Sequence, residues 1–304
     1  MPCYRPLDAW QLEGGEIVFK ERGRILRPLT LPCGRCIGCR QVRQRSWALR
    51  CLHESQMHRQ SSFVTLTYDD AHFSPSLNYS DFQGFMHRLR SEVRYKRNSA
   101  AANNSVRFFA CGEYGDINLR PHFHAILFGY QPTDGVPCGK DIFSSKVLSR
   151  LWPFGFSSFG GVSYQSASYV AGYCLKKVSN NARSADLYSK RYSRVDPRTG
   201  ELVTVEPEMG RMSLKPGIGY SWFQKYWREV YLARDGCVLK GGTQVPAPRY
   251  YDKLLESLDS DLSDQVFYNR YVNADRFLAD TTPERLAVRE FIAVHNSHSK
   301  RGKV

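Results

Sequence analysis

The sequence predicts an α+β fold, a central antiparallel sheet with helices on one face, and three observations predict it. Residues 62–68 (SFVTLTY) alternate with the period of a strand and are rich in β-branched and aromatic side chains. Two further strand-like runs, 106–114 and 120–129, are separated only by the five residues Gly115 to Leu119, which makes them an antiparallel hairpin. Stretches of helical spacing lie between and after them, so the order is strand, helix, strand, strand, helix, strand, helix. With helices on one face, the other is left for a ligand.

The elements follow in order. Residues 38–58 read as a helix, with Trp47, Leu49 and Leu52 apolar and Arg40, Arg43 and Arg50 charged. In the strand at 62–68, Phe63, Thr65 and Thr67 point one way and Val64, Leu66 and Tyr68 the other. Ser80 or Asp81 caps a helix over 80–96, in which Phe82, Phe85, Met86, Leu89 and Val93 recur at helical spacing. After the hairpin come a helix near 143–151, a glycine-rich aromatic stretch (FGFSSFGGVSY) and a helix over about 166–178. Residues 179–214 are polar, with a hairpin at VDPRTGELVTV, and 220–233 and 283–295 are helical. Three segments result: 1–60, a Cys-rich and Arg-rich start; 61–180, the catalytic candidate; and 181–304, a helical extension.

Composition narrows the function. A 42% hydrophobic content supports a packed core, and a net charge of +14 suits a polyanionic partner, because phosphates neutralised by Lys or Arg release counterions. Between Arg35 and Arg50 there are five arginines and no acid, which favours phosphate contact over a merely solvated face. The run Phe123 to Gly129 is far shorter than the ~20 residues of a membrane span, and the N-terminus lacks the basic head and apolar stretch of a secretory signal. Nine cysteines, an odd number, fit a reducing compartment. A soluble cytoplasmic protein is expected, with no membrane partner.

The strongest chemical signal is Arg120-Pro-His-Phe-His124. On a strand, His122 and His124 project from one face and can bind one metal ion, whereas two ordinary strand histidines would be one paired and one exposed. The residues after them, Ala125 to Gly129, do not continue the patterns of the Asp-His zinc hydrolases or of cupins. Glu113 on the preceding strand comes opposite Arg120 to His122, either as a solvated strand-end residue or as a third ligand. Two imidazoles and a carboxylate suit Mg²⁺ or Mn²⁺ and also accept Zn²⁺.

Tyr169 and Tyr173 are i,i+4 neighbours on the helix Ser168 to Lys177, with Lys176 and Lys177 beyond them. Taken alone this is an amphipathic helix with buried aromatics. Beside a metal site it offers phenol nucleophiles, which need a neighbouring cation and a polarised phosphate because a phenol's pKa is about 10. Cys33, Cys36 and Cys39 form a CxxCxxC run that suits Zn²⁺ or an iron–sulfur cluster if a fourth ligand joins, with Cys3, Cys51 and His53 as candidates; otherwise they are free thiols before a helix.

These motifs in this order resemble those of the HUH rolling-circle replication proteins: Phe63-Val-Thr-Leu-Thr-Tyr68, Pro121-His-Phe-His124 and Tyr173-Cys-Leu-Lys176. The resemblance is closer to the replication initiators of small single-stranded DNA phages, the Microviridae of gokushovirus type. It is carried by Pro32-Cys-Gly-Arg-Cys-Ile-Gly-Cys-Arg40, Gly112-Glu-Tyr-Gly115, the strand of His122 and His124, Tyr169 to Lys177 and Pro216-Gly-Ile-Gly219, and covers roughly residues 30–220.

The resemblance implies a ferredoxin-like or RRM-like HUH endonuclease domain and a nick in single-stranded origin DNA. His122, His124 and Glu113 would hold Mg²⁺ or Mn²⁺, and Tyr173 would be the main nucleophile, with Tyr169 the second and Lys176 assisting. Arg35, Arg40, Arg43, Arg50, Thr65, Thr67 and Lys177 are the expected DNA contacts, and Cys33, Cys36, Cys39 and Cys51 the candidate zinc ligands. The product would be a 5′-phosphotyrosine and a free 3′-OH for host polymerase and helicase in the bacterial cytoplasm, with no small-molecule cofactor. A relaxase or transposase, a non-catalytic single-strand binder, and a small-molecule metallohydrolase are the alternatives.

Overall fold

The alternating strand expected at 62–68 and the hairpin expected at 106–129 are both present, within a larger sheet. A computed structural model describes residues 3–97, 106–115, 118–173, 185–196 and 198–301. The chain opens with β1 (Leu7–Leu12), β2 (Ile17–Val18), β3 (Ile25–Leu31) and α1 (Ile37–Gln56), followed by β4 (Ser61–Tyr68), α2 (Tyr79–Arg97), β5 (Arg107–Tyr114) and β6 (Pro121–Phe128). Next come β7 (Val136–Gly139), β8 (Ile142–Ser144), α3 (Lys146–Leu151), β9 (Gly155–Gly161), α4 (Tyr164–Tyr173) and α5 (Ala185–Tyr192). Then follow β10 (Ser193–Val195), β11 (Leu202–Thr204), β12 (Met209–Met212) and α6 (Tyr220–Tyr231). The last elements are β13 (Cys237–Val238), β14 (Gln244–Val245), α7 (Arg249–Leu258), α8 (Ser260–Ala274), a 3-10 segment (Asp275–Thr281) and α9 (Pro283–Arg301). Among the described residues, no helix is long and apolar enough to cross a membrane.

Two compact units divide the chain: residues 47–229, and residues 1–46 with 230–304. In the first of these, seven antiparallel strands lie in the order β12-β5-β6-β4-β9-β8-β7. Alternation sorts their side chains. Val64, Leu66, Phe123, Ala125 and Leu127 turn to one face, where Phe82, Phe85, Met86 and Leu89 of α2 and Leu148 and Leu151 of α3 cover them. Trp152 closes this layer, its indole N–H donating to the Thr67 carbonyl at 3.1 Å. Gly155 starts β9 at φ +146, and a Cβ there would lie 2.3 Å from the Asp69 nitrogen, so only glycine lets β9 run this close to the end of β4.

Helices cover both faces, which corrects the one-face expectation. Phe109, Ile126 and Phe128 point away from α2, and Ala48 and Cys51 of α1 with Ala167, Val170 and Ala171 of α4 pack on them. The physical reason is that this second face is polar only at one end. Its far half is apolar and must be buried, and small residues on α1 and α4 let the helices come close. The open end is where the histidines lie.

The other unit holds elements that periodicity did not disclose. Its small sheet has the order β2-β1-β3, with Trp10 opposite Pro28. Pro28 is tolerated because β3 is an edge strand. Short strands with little burial carry a weak pattern, and α7 and α8 are likewise additions to the helices expected at 220–233 and 283–295. In the unit of residues 47–229, the hairpin expected at 195–205 is present, with Ser193 opposite Thr204 and Val195 opposite Leu202.

Candidate metal centre and tyrosine helix

Register builds the site. Glu113 pairs with His122, His122 with Thr67, and Thr67 with Phe156, so these four form one row across β5, β6, β4 and β9 on a single face. Cys111, His124, Thr65 and Ser158 form the next row. Glu113 and His124 are buried and His122 is half-buried.

The nitrogens are oriented by their neighbours. The Arg120 carbonyl only accepts, so His122 Nδ1 donates to it across 3.0 Å and Nε2 turns to Glu113 Oε1 at 2.9 Å. Thr65 Oγ1 lies 2.9 Å from His124 Nδ1, and His124 Nε2 lies 3.0 Å from the same Glu113 oxygen. With Thr65 accepting, both imidazoles present Nε2 to one carboxylate oxygen. Three electron-rich atoms in contact repel unless positive charge lies among them, and two imidazoles with one carboxylate fit a divalent cation. Without a cation, protonated His122 and His124 would instead donate to Glu113, and these bonds outweigh the upward push of burial and hold its carboxyl below its ordinary value. The ligand atoms of this group all lie within 4.8 Å of one another.

Tyr169 stands beside this group. Its ring meets His124 edge-on at 5.1 Å between centroids and Phe63 edge-on at 6.3 Å, while Phe63 stacks on His124 at 5.5 Å. The buried faces of Ala167, Val170 and Ala171 set the rotation of α4 that brings Tyr169, itself 45% exposed, to the rim. Tyr173 is the last residue of α4, one turn beyond Tyr169. Lys176 and Lys177 lie outside the described residues.

Several expected DNA contacts have structural tasks. Thr65 orients His124, a role that the alternation could reveal only once the register was known. Arg50 donates to the Ile218 carbonyl at 2.9 Å and lies over the Trp47 ring at 4.0 Å. Arg35, Arg40 and Arg43 are exposed, Arg43 also donating to the Gly34 carbonyl at 3.3 Å. Thr67 sits in the ligand row between His122 and Phe156.

The Pro216–Gly219 loop is tied down in the same unit. Glu54 accepts from the Gly219 amide at 2.7 Å and from Arg107 Nε at 2.7 Å, and Arg107 donates to the Pro216 carbonyl at 2.6 Å. In the Gly112–Gly115 motif, a Cβ on Gly112 would press on Phe123 at 3.0 Å, and the Tyr114 hydroxyl donates to the Glu206 carbonyl at 2.6 Å.

The cysteine cluster needs one correction. Cys33, Cys36 and Cys39 come together with Cys3, and not with Cys51. Cys51 faces inward on α1 and is buried among Ala48, Phe109 and Cys111. His53 stacks flat on Trp222 at 3.6 Å, and burial pushes its imidazole down to about 3. Both side chains are buried and are not members of the four-cysteine group. Cys3 was one of three open candidates, and only the folded path of β1 to β3 selects it.

Residues 61–178 match the family model described as replication-associated protein ORF2/G2P. Over 260 residues the chain is 34% identical to replication-associated protein VP4 of Bdellovibrio phage phiMH2K, covering 83% of this chain and 76% of that one. It is 29% identical to replication-associated protein ORF2 of Spiroplasma virus 4, covering 91% of this chain and 86% of the relative. Replication-associated protein ORF4 of Chlamydia phage 1 is 31% identical, over 81% of this chain and 58% of its own length. No solved structure gives a significant match.

Proposed function

This chain belongs to the family of phage replication-associated proteins, and on that premise we propose that it nicks single-stranded DNA at a replication origin by tyrosine transesterification. The observation that carries the reading is the convergence of His122 and His124 on Glu113 directly beside Tyr169. The +14 charge supplies affinity for the phosphate backbone. Within the family we place the chain with the initiators of small single-stranded DNA phages.

Glu113, His122 and His124 would hold Mg²⁺ or Mn²⁺, whose charge would polarise the scissile phosphate. A tyrosine oxygen attacks phosphorus, its phenolic proton passing to solvent. The bond to the 3′ oxygen breaks, and that oxygen takes up a proton to become a free 3′-OH. The phosphorus stays on tyrosine as a 5′-phosphotyrosine, so the bond is conserved and no nucleotide cofactor is needed. The reverse attack by a 3′-OH rejoins the released strand. Tyr173 is assigned the first attack, Tyr169 the second, Lys176 the task of favouring the phenolate, and Lys177 a phosphate contact. Arg35, Arg40 and Arg43 supply backbone contacts, residues 61–180 the nicking domain, and host polymerase and helicase act on the free 3′ end in the bacterial cytoplasm.

The test is a labelled single-stranded oligonucleotide from the cognate origin, incubated with protein and Mn²⁺ or Mg²⁺ and run on a denaturing gel. Label is expected to migrate with the protein, to require metal, and to vanish in Tyr169→Phe/Tyr173→Phe. The single variants assign the first attack. Tight binding with no adduct across a panel of origin sequences would overturn nicking and leave a single-strand binder.

A further inference from the structure

The geometry points to a zinc ion held by Cys3, Cys33, Cys36 and Cys39, acting as a clasp that stabilises the small N-terminal sheet. The four Sγ atoms lie within 4.8 Å of one another, with Cys33 to Cys39 and Cys36 to Cys3 both at 4.0 Å. A disulfide would bring two of them to about 2.05 Å, whereas tetrahedral zinc with bonds of about 2.3 Å spaces its sulfurs about 3.8 Å apart. Backbone amides already point at the sulfurs as they would at thiolates: Cys33 donates to Cys3 at 3.2 Å, Tyr4 to Cys36 at 3.4 Å, Cys36 to Cys33 at 3.4 Å and Cys39 to Cys36 at 3.5 Å.

The need for a clasp follows from the sheet itself. All of β1, β2 and β3 lies between Cys3 and Cys33, and within those strands only Ala9 and Val18 are buried. So sparse a core does not offset the entropy of ordering the segment. A metal that joins both ends closes it into one loop, and its binding energy becomes folding energy.

The full-length protein, purified without chelator, is expected to carry one zinc per chain by elemental analysis. Its four clustered thiols should resist alkylation until a strong chelator removes the metal. Hydrogen exchange over residues 7–31 should then rise while β4 to β6 keep their protection. Cobalt replacement should give the intense bands of tetrahedral thiolate coordination. Cys3→Ser is expected to lose metal, and Cys51→Ser to keep it. A folded protein with no zinc and four freely alkylated thiols would overturn the clasp, as would iron in its place or unchanged exchange in the sheet after metal removal.

A second observation stands apart from the clasp. Phe156 is 71% exposed on β9, in the row that carries Glu113, His122 and Thr67. Two strand spacings, about 10 Å, separate it from His122 along the sheet. Among the described residues most of the ring is left open, level with the ligand row of a +14 chain. We infer that Phe156 is a stacking seat for a base of the bound single strand near the scissile phosphate, an inference that rests on the nicking reading. Base stacking tolerates any sequence and is lost with the ring.

Phe156→Ala is expected to weaken binding of the origin oligonucleotide by ~10-fold or more, and Phe156→Trp to restore it. A 2-aminopurine placed beside the cleaved phosphate should be quenched by the wild type and not by Phe156→Ala. Wild-type adduct together with unchanged affinity and quenching in Phe156→Ala would overturn the seat alone. Failure of the wild type to form any adduct would overturn nicking, while binding still tested the seat.

Discussion

His124→Ala is expected to reduce adduct formation by about 10³-fold or more, close to 4 kcal/mol of lost transition-state stabilisation, with no recovery at high Mn²⁺. The variant removes one of the two imidazole nitrogens that face Glu113, and the remaining pair cannot orient a cation. Thr65→Val separates ligation from orientation. It keeps both imidazoles but deletes the hydroxyl 2.9 Å from His124 Nδ1, so the ring loses the partner that selects its tautomer. Metal affinity should fall 10–100-fold, and excess Mn²⁺ should restore the adduct. Titrating metal against adduct yield on gels checks both variants, with circular dichroism to confirm folding. Full activity in His124→Ala would remove the metal centre from the reaction. A Thr65→Val protein beyond rescue would show that the hydroxyl does more than orient His124.

Glu54→Gln is expected to lower stability by about 3 kcal/mol at neutral pH, because removing one partner of a buried pair leaves Arg107 without its counter-charge. The Glu54 side chain is 4% exposed and accepts from Arg107, His58 and the Gly219 amide. Burial pushes its carboxyl up, but the hydrogen bonds from His58 and Gly219 and the Arg107 charge prevail and hold it low. A depressed folded-state value means that the stabilisation is complete above the unfolded carboxylate range, about 4.3, and is lost as pH falls through the folded value. The gap between wild type and Glu54→Gln should therefore be widest near neutrality and close in acid. Denaturant midpoints at stepped pH provide the measurement. A constant gap down to low pH would mean that the packing of Glu54, not its charge, is what matters.

How much of this was legible beforehand depended on range. Alternation at Phe63 to Tyr68 and the short link between two strands are local, so the hairpin and the placing of Glu113 opposite Arg120 to His122 could be read from the sequence, while the exact pairing with His122 came with the register. The helix carrying Tyr169 could be read the same way. Cover on the second face could not, because Phe109, Ile126 and Phe128 take their cover from α1 and α4, which lie far off in the chain. The edge strand β12, opposite Phe109 to Gly112, was hidden for the same reason: four residues without alternation carry no pattern.

By itself the sequence determined the chemistry on offer: two histidines on one strand face, a carboxylate on the next strand, two tyrosines on one helix, a cysteine triplet and a surplus of positive charge. Residue type and a period of two or 3.6 are properties of neighbours, and they survive without a fold. The tertiary structure decided which groups meet. It placed Thr65 on His124, took Arg50 for the Ile218 carbonyl, gave the cysteine triplet Cys3 in place of Cys51, and set the Phe156 ring in the ligand row. Those outcomes depend on cross-strand register and on loop paths, which join residues distant in sequence and leave no periodic trace in it.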